Sequence, residues 1–285
     1  MPEPRIITYR AAILEALFAE MRRDPAVLVM GEDVGAAGGV FKQAAGLFEE
    51  FGAERVIDTP ISESGAFGIA AGSAMSGSRP VFEVMFGDFI TLVMDQLANQ
   101  AAKVHYMSAG QFTVPLVLRT AVGIGANLGP QHSQSLHAWT AHIPGLKVVM
   151  PSTPADAKGL MAAAIRDDNP VVYFEDRTLY TLRGDTPQGD HLVPIGVADV
   201  KRAGEDVTIV ATSRAVVVDG GYRQYGITGE IAATLAEQAF DWLDAPVMRI
   251  GAENVPIPFS RSLEPLVVPD AARLAKAVAD LVRRR

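Results

Sequence analysis

The chain has 285 residues, enough for one large domain or two modest ones, and its 49% hydrophobic against 20% charged residues marks a globular protein with ample core. A net charge of −8 argues against nucleic acid as the main partner. No cysteine is present, which excludes disulfides, thiolate metal sites and cysteine nucleophiles, and the five histidines form no His-Glu-x-x-His zinc motif. Met-Pro-Glu-Pro-Arg at the start lacks an apolar signal core and no run approaches a membrane span, so a cytoplasmic location is expected.

Ile13, Leu14, Leu17, Phe18 and Met21 recur at helical spacing, predicting a helix over 9–23 that Asp24-Pro25 ends. Val27 to Met30 is a continuous apolar run, as in a parallel strand buried on both faces. It leads into Gly31-Glu32-Asp33, an acidic turn where open α/β sheets place ligands. A loop over 35–39 and a short helix over 41–51 follow. Val56-Ile57 ends a strand, Pro60 blocks its continuation, and Ser62 or Ser64 caps a helix rich in Gly and Ala. Strands are expected at 80–84, 116–118, 148–150 and 171–174, with a helix over 88–104. Thr153-Pro154-Ala155-Asp156 marks the start of another helix, running to about Arg166: a hydroxyl cap, proline at the first position and an acid in the first turn. This alternation implies a parallel sheet with helices on both faces. Arg177 to Leu192 is polar and aperiodic and reads as a linker. Beyond it, strands are expected at 207–210, 215–218 and 246–250, with helices over 229–240 and 269–284. The expected fold is α/β: a parallel-sheet domain over 1–180, a linker over 181–200 and a smaller α/β domain over 201–285.

Three stretches carry candidate chemistry. Glu63 is the one charge between Thr59 and Ser78. It either complements the helix dipole or is a carboxyl group reserved for a ligand nitrogen. Met85 and Phe89 flank a strand-to-helix turn, as core residues or as the soft floor and wall of a site for a flat heteroaromatic ring. His132 sits in the polar loop Gly129-Pro130-Gln131-His132-Ser133-Gln134, either as a hydrogen-bonded loop histidine or as a site residue. Gly123 to Gly129 misses the dinucleotide fingerprint by one residue of spacing and is followed by Pro130 where a helix should open. No Gly-x-Ser-x-Gly elbow is present.

The order of motifs resembles the beta subunit of thiamine-diphosphate-dependent 2-oxo acid dehydrogenases, the decarboxylating component of the pyruvate, branched-chain and acetoin dehydrogenase complexes. The motifs are Gly31-Glu32-Asp33-Val34, Thr59-Pro60-Ile61-Ser62-Glu63, Asp95-Gln96, Gly129 to Gln134, Pro144 to Val149 and Asp168-Asn169-Pro170-Val171-Val172. The likeness covers about 5–180 and again 215–270. It implies a transketolase-like pyrimidine-binding domain followed by a shortened transketolase C-terminal-like domain. It implies that Glu63 hydrogen-bonds the cofactor pyrimidine, that Met85 and Phe89 pack around that ring, and that His132 lies near the substrate and the incoming lipoyl group. It implies a structural monovalent cation, such as K+, held at Leu116, Ala164, Ile165, Asp167 and Asn169. Gly-Asp occurs at 87–88, 184–185 and 189–190 but never continues into the Gly-Asp-Gly that a diphosphate–Mg2+ site needs. The resemblance places that half-site on an alpha subunit, in an alpha2beta2 assembly served by a lipoyl-bearing acyltransferase core. The alternative is a non-catalytic paralogue acting as a scaffold.

One departure from the family stands out. Between the strands expected near 207–210 and 216–219 the family carries further helices and a strand, whereas here only Ala211 to Ala215 intervene. A parallel crossover needs a dozen or more residues, so at least one strand-and-helix unit is missing. The second domain is therefore expected to be the compromised part, with all site residues on the first.

Overall fold

A computed structural model describes residues 5–124, 126–201, 203, 210, 217–243 and 246–282. The chain divides into two compact units: Met1–Val122 with Trp139–Gly196, and Gly123–Ala138 with Val197–Arg285.

In the first unit, β1 (Ile6–Thr8) leads into α1 (Tyr9–Arg23), whose N-cap Thr8 accepts a hydrogen bond from the Ala11 amide. Then come β2 (Val27–Gly31), α2 (Leu47–Phe51), β3 (Val56–Asp58), α3 (Glu63–Met75) and β4 (Arg79–Val84). A 3-10 turn (Gly87–Leu92) and a π-helical stretch (Gln96–Ala101) lead into α4 (Ala102–Met107). After β5 (Val117–Val122) come α5 (His137–Ala141), where the two units meet in sequence, β6 (Lys147–Val149), α6 (Pro154–Arg166), β7 (Val171–Asp176) and β8 (Arg183–Asp185).

Six strands form a parallel sheet in the order β3-β2-β4-β5-β7-β6. Register sets Val56, Val29, Val81, Val117 and Val171 in one row across five of them, each almost fully buried. That row packs on α1 and α6 through Ile13, Leu17, Met21, Met161 and Ile165. The opposite face takes α3, where Phe67 meets Phe82 edge-on at 5.2 Å. Alternation along each strand thus feeds two helical layers, which is why the strands read as unbroken apolar runs.

One row further toward the carboxyl ends, charge replaces valine on the α1 face. Arg119 lies 1% exposed between Glu83 (3.2 Å) and Glu175 (2.7 Å). The Tyr180 hydroxyl donates to Glu175 at 2.9 Å, and Gln43 Nε2 donates to that hydroxyl at 2.7 Å. Burial opposes the charge on Arg119, but Glu175 and Glu83 outweigh it and raise the guanidinium above its ordinary value. Burial pushes Glu83 up despite the attraction of Arg119.

The structure corrects three expectations in this unit. The stretch 181–200, read as a linker, supplies β8, which pairs antiparallel with the unforeseen β1. The helix expected over 41–51 shrinks to Leu47–Phe51, because Lys42 and Gly46 both adopt positive φ. The helix expected over 88–104 is broken into 3-10, π and α segments. Phe89, Val93, Leu97 and Ala101 recur every fourth residue, which lags an α-helix by about 40° per repeat. A wider π turn restores Leu97 and Ala101 to the buried side.

In the second unit, β9 (Val218–Tyr222) pairs parallel with β10 (Ile250–Ala252), and α7 (Ile227–Gln238) lies between them in sequence. Helices α8 (Glu264–Val267) and α9 (Ala271–Val282) close the chain. Val218 and Ile250 form a small core with Leu274, Ala277 and Val278. The strand expected at 207–210 and the short connection to 216 lie outside the described residues, Val210 excepted.

Candidate functional site

The carboxyl ends of β3, β2 and β4 stand side by side in the sheet. Glu63 is the first residue of α3, immediately beyond β3, with Ser62 as N-cap but without a side-chain capping bond. The helix buries Ala66, Phe67, Ala70, Ala71 and Ala74 and leaves Gly65, Ile69 and Gly72 exposed. Glu63 itself is only half-buried. Its ordering comes from the first turn, whose Ser64 hydroxyl accepts from Gln96 Nε2 at 3.1 Å.

Glu32, at the end of β2, joins this corner. Burial pushes its carboxyl up, and the neighbouring charges of Glu63 and Asp33 push it further. The sequence reading noticed Glu32 as part of an acidic turn but assigned it no role; the Gly-Glu-Asp run at a strand's end was the available signal.

Met85 and Phe89 follow β4 and are both half-buried. Phe86 braces Phe89 edge-to-face at 5.6 Å, and is itself held by Phe41 at 5.5 Å and by the Arg177 guanidinium, 5.6 Å above its ring. The wall therefore has a second layer that fixes its angle. Glu63, Met85 and Phe89 are thus all on the first unit, just beyond β3 and β4, two strands separated only by β2.

His132 is placed differently. It follows a turn in which its amide donates to Gly129 O at 3.4 Å, and the whole segment 123–138 belongs to the second compact unit. The histidine thus lies within the sequence range 1–180 of the expected first domain but in the second compact unit.

The expected cation residues gather where α6 runs into β7. The carbonyls of Ile165 and Asp167 accept from Arg79 Nη1 at 3.1 and 3.2 Å. Asp167 Oδ1 accepts from the Asn169 amide and side chain at 2.9 and 3.0 Å. Burial pushes the Asp167 carboxyl up, but hydrogen bonds from Lys147 and Asn169 win and lower it. The Ala164 carbonyl accepts from the Asp167 amide at 3.3 Å, and Leu116 O accepts from Val171 N at 2.9 Å.

A family model for the transketolase pyrimidine-binding domain matches residues 5–183, and one for the transketolase C-terminal domain matches 211–274. The pyruvate dehydrogenase E1 component subunit beta of Rhizobium meliloti is 40% identical over 97% of this chain and 70% of its own length. The chain belongs to the beta subunits of the 2-oxo acid and acetoin dehydrogenases. The Bacillus subtilis acetoin:2,6-dichlorophenolindophenol oxidoreductase subunit beta is 39% identical over 98% of each chain. The 2-oxoisovalerate dehydrogenase subunit beta of the same organism is 37% identical over 97% of this chain and 98% of its own. A solved chain described as a split gene transketolase, inactive beta4 tetramer, shares the fold with a TM-score of 0.73 at 18% identity, covering 97% of this chain and 98% of that one.

As a member of this family the beta subunit is part of a thiamine-diphosphate-dependent oxidoreductase and works with an alpha subunit. The scaffold alternative gains no support, since the matched relatives are named as dehydrogenase or oxidoreductase subunits. The alignments to the Rhizobium and Bacillus acetoin-type relatives run over 321 and 334 residues against the 285 of this chain, so the relatives carry stretches that it lacks. Among the described residues, no helix is long and apolar enough to cross a membrane.

Proposed function

We propose that this beta subunit supplies the pyrimidine half of a thiamine diphosphate site completed by an alpha subunit, for oxidative decarboxylation of a 2-oxo acid or cleavage of acetoin, with acyl transfer to lipoamide. The observation that carries the proposal is Glu63 opening α3 at the carboxyl edge of the sheet, with the Met85–Phe89 turn after β4 and the half-buried carboxyl of Glu32 after β2. Bound there, thiamine diphosphate would supply the nucleophilic carbon and the electron sink for loss of carbon dioxide. The chain's own part is positional and acid–base. Glu63 holds a proton at the pyrimidine nitrogen, and the proximity of Glu32 keeps a second carboxyl available to share it. Met85 offers a soft contact to one side of the ring, and Phe89, braced by Phe86, fixes the other. His132 donates a hydrogen bond or proton to the oxygen that gains charge during acyl transfer.

Magnesium and the cofactor diphosphate belong, in this reading, to the alpha subunit, and the lipoyl-bearing acyltransferase core is the acceptor of the acyl group. The end of α6 is the proposed place of a structural monovalent cation such as K+, in competition with the Arg79 guanidinium that already bonds the Ile165 and Asp167 carbonyls. Ala164 and Ile165 present carbonyls at the negative end of the helix dipole, with Leu116 O, Asp167 and Asn169 supplying further oxygens. The assembly is proposed to work in the cytoplasm.

The deciding experiment is co-purification with the alpha subunit and assay of carbon dioxide or aldehyde release from pyruvate, branched-chain 2-oxo acids and acetoin. Turnover of one substrate class, dependent on both subunits and on thiamine diphosphate, is expected. A complex that binds the cofactor but turns over none of them would establish a scaffold instead.

A further inference from the structure

The loop that carries His132 is anchored at both ends by residues from the last third of the chain. At its start, Gly129 has φ +73° and lies against the Phe259 ring so closely that a Cβ there would come within 2.2 Å of it. At its end, His137 Nε2 stands 2.8 Å from Asp219 Oδ2, and both side chains are buried. Strand β9 comes so near that a Cβ on Gly221 would lie 3.2 Å from Ser135 O and 3.3 Å from His137 Cε1. Between the anchors, Ser133, Ser135 and Leu136 are buried.

We propose that His137 and Asp219 are positioning residues for His132, a role that rests on the reaction proposed above. Among the described residues of 123–136 no sheet ladder is formed, and the contacts at Gly129 and His137 tie the segment to the last third of the chain. A histidine five positions from a buried, charge-assisted hydrogen bond inherits its precision from that bond. Asp219 is itself fixed, because it extends from β9 between Val218 of the small core and the close-packed Gly220-Gly221. Removing either partner takes this buried hydrogen bond from the other, and the loop gains a route to move. The second unit thereby contributes to the proposed chemistry.

The test uses the assembled alpha–beta complex and three substitutions, Asp219→Ala, His137→Ala and His137→Gln. Acylation of a lipoyl acceptor should fall roughly 10- to 100-fold in both alanine variants, the scale expected for a misplaced catalytic group. Carbon dioxide release with an artificial electron acceptor should fall no more than about threefold. His137→Gln, which keeps a donor toward Asp219, should restore most of the loss. Independently of activity, hydrogen exchange in the peptide 126–138 should rise in the alanine variants while the peptide 63–75 stays unchanged. Unchanged exchange at 126–138, equal loss in both assays, or no difference between His137→Gln and His137→Ala overturns the proposal. If Asp219→Ala fails to assemble, the two His137 variants decide. If the wild-type complex turns over nothing, the proposed reaction falls, and the exchange data still show whether the pair holds the loop.

Discussion

The two compact units differ in what holds them. The first has six hydrogen-bonded parallel strands, a row of five buried valines and helices on both faces. The second has a described sheet of two strands and a core built on Val218 and Ile250, while Phe240, Phe259 and Leu266 stay well exposed. Glu63 sits on the thick-cored unit and His132 on the thin-cored one. The two halves of the proposed chemistry thus rest on supports of unequal strength, and steps assigned to the histidine in that proposal are expected to fail first when the protein is stressed.

The largest expected effect tests the strong unit's chemistry. Glu63→Gln keeps shape and removes the acid, and should lower turnover of the assembled enzyme by about 10²- to 10⁴-fold. Near-normal turnover would remove Glu63 from the cofactor site. The strong unit's stability can be broken at Arg119. Arg119→Met leaves Glu83 and Glu175 buried together and should cost ~3–5 kcal/mol in denaturant unfolding. Adding Glu83→Gln and Glu175→Gln should recover much of that loss, and no recovery would mean that packing rather than charge sets the cost.

On the weak side, His132→Ala should reduce lipoyl acylation more than carbon dioxide release, and equal losses would give it a general substrate-binding role. Limited tryptic digestion should cut first between Lys201 and Arg223 and spare the first unit. A second unit as resistant as the first would erase the contrast. The smallest effect lies at the edge of the strong unit. Glu15, bonded to Arg5 and to the buried Lys158, has its carboxyl lowered to about 2. A carboxylate lowered in the folded state stabilises it above the ordinary carboxylate range, and that contribution is lost as pH falls from about 4.5 toward 2. With partial exposure it amounts to ~1 kcal/mol, so Glu15→Gln should flatten the acid limb of the stability curve by that much.

Much of this was legible in sequence because the signals were local. The spacing of Ile13, Leu17 and Met21 gives α1 its limits, and Thr153-Pro154 gives α6 its start. The corner proposed for the cofactor is marked in sequence by a lone carboxylate in a small-residue helix. The Arg119 network was half-visible, since a Glu and an Arg interrupt apolar strand runs, but their pairing depends on the register that sets Glu83 opposite Arg119. The pair His137–Asp219 left no local mark, because its members are 82 residues apart and each looks like an ordinary polar side chain. The strand β1 was missed for the same reason, as its partner lies at 183–185.

The pairing of β1 with β8 has a consequence for the order in which the protein is made. The six-stranded sheet and its antiparallel clasp are complete in sequence by Asp185, so the first unit has all its own strands before any of the shortened stretch leaves the ribosome. The histidine loop does not share that schedule. His137 is synthesised 82 residues before Asp219, an interval of roughly 4–16 s at ordinary translation rates. During that time the nascent chain has the scaffold proposed for the pyrimidine and lacks the proposed latch for His132, so the last part of the proposed site to be finished is the one held by the least core.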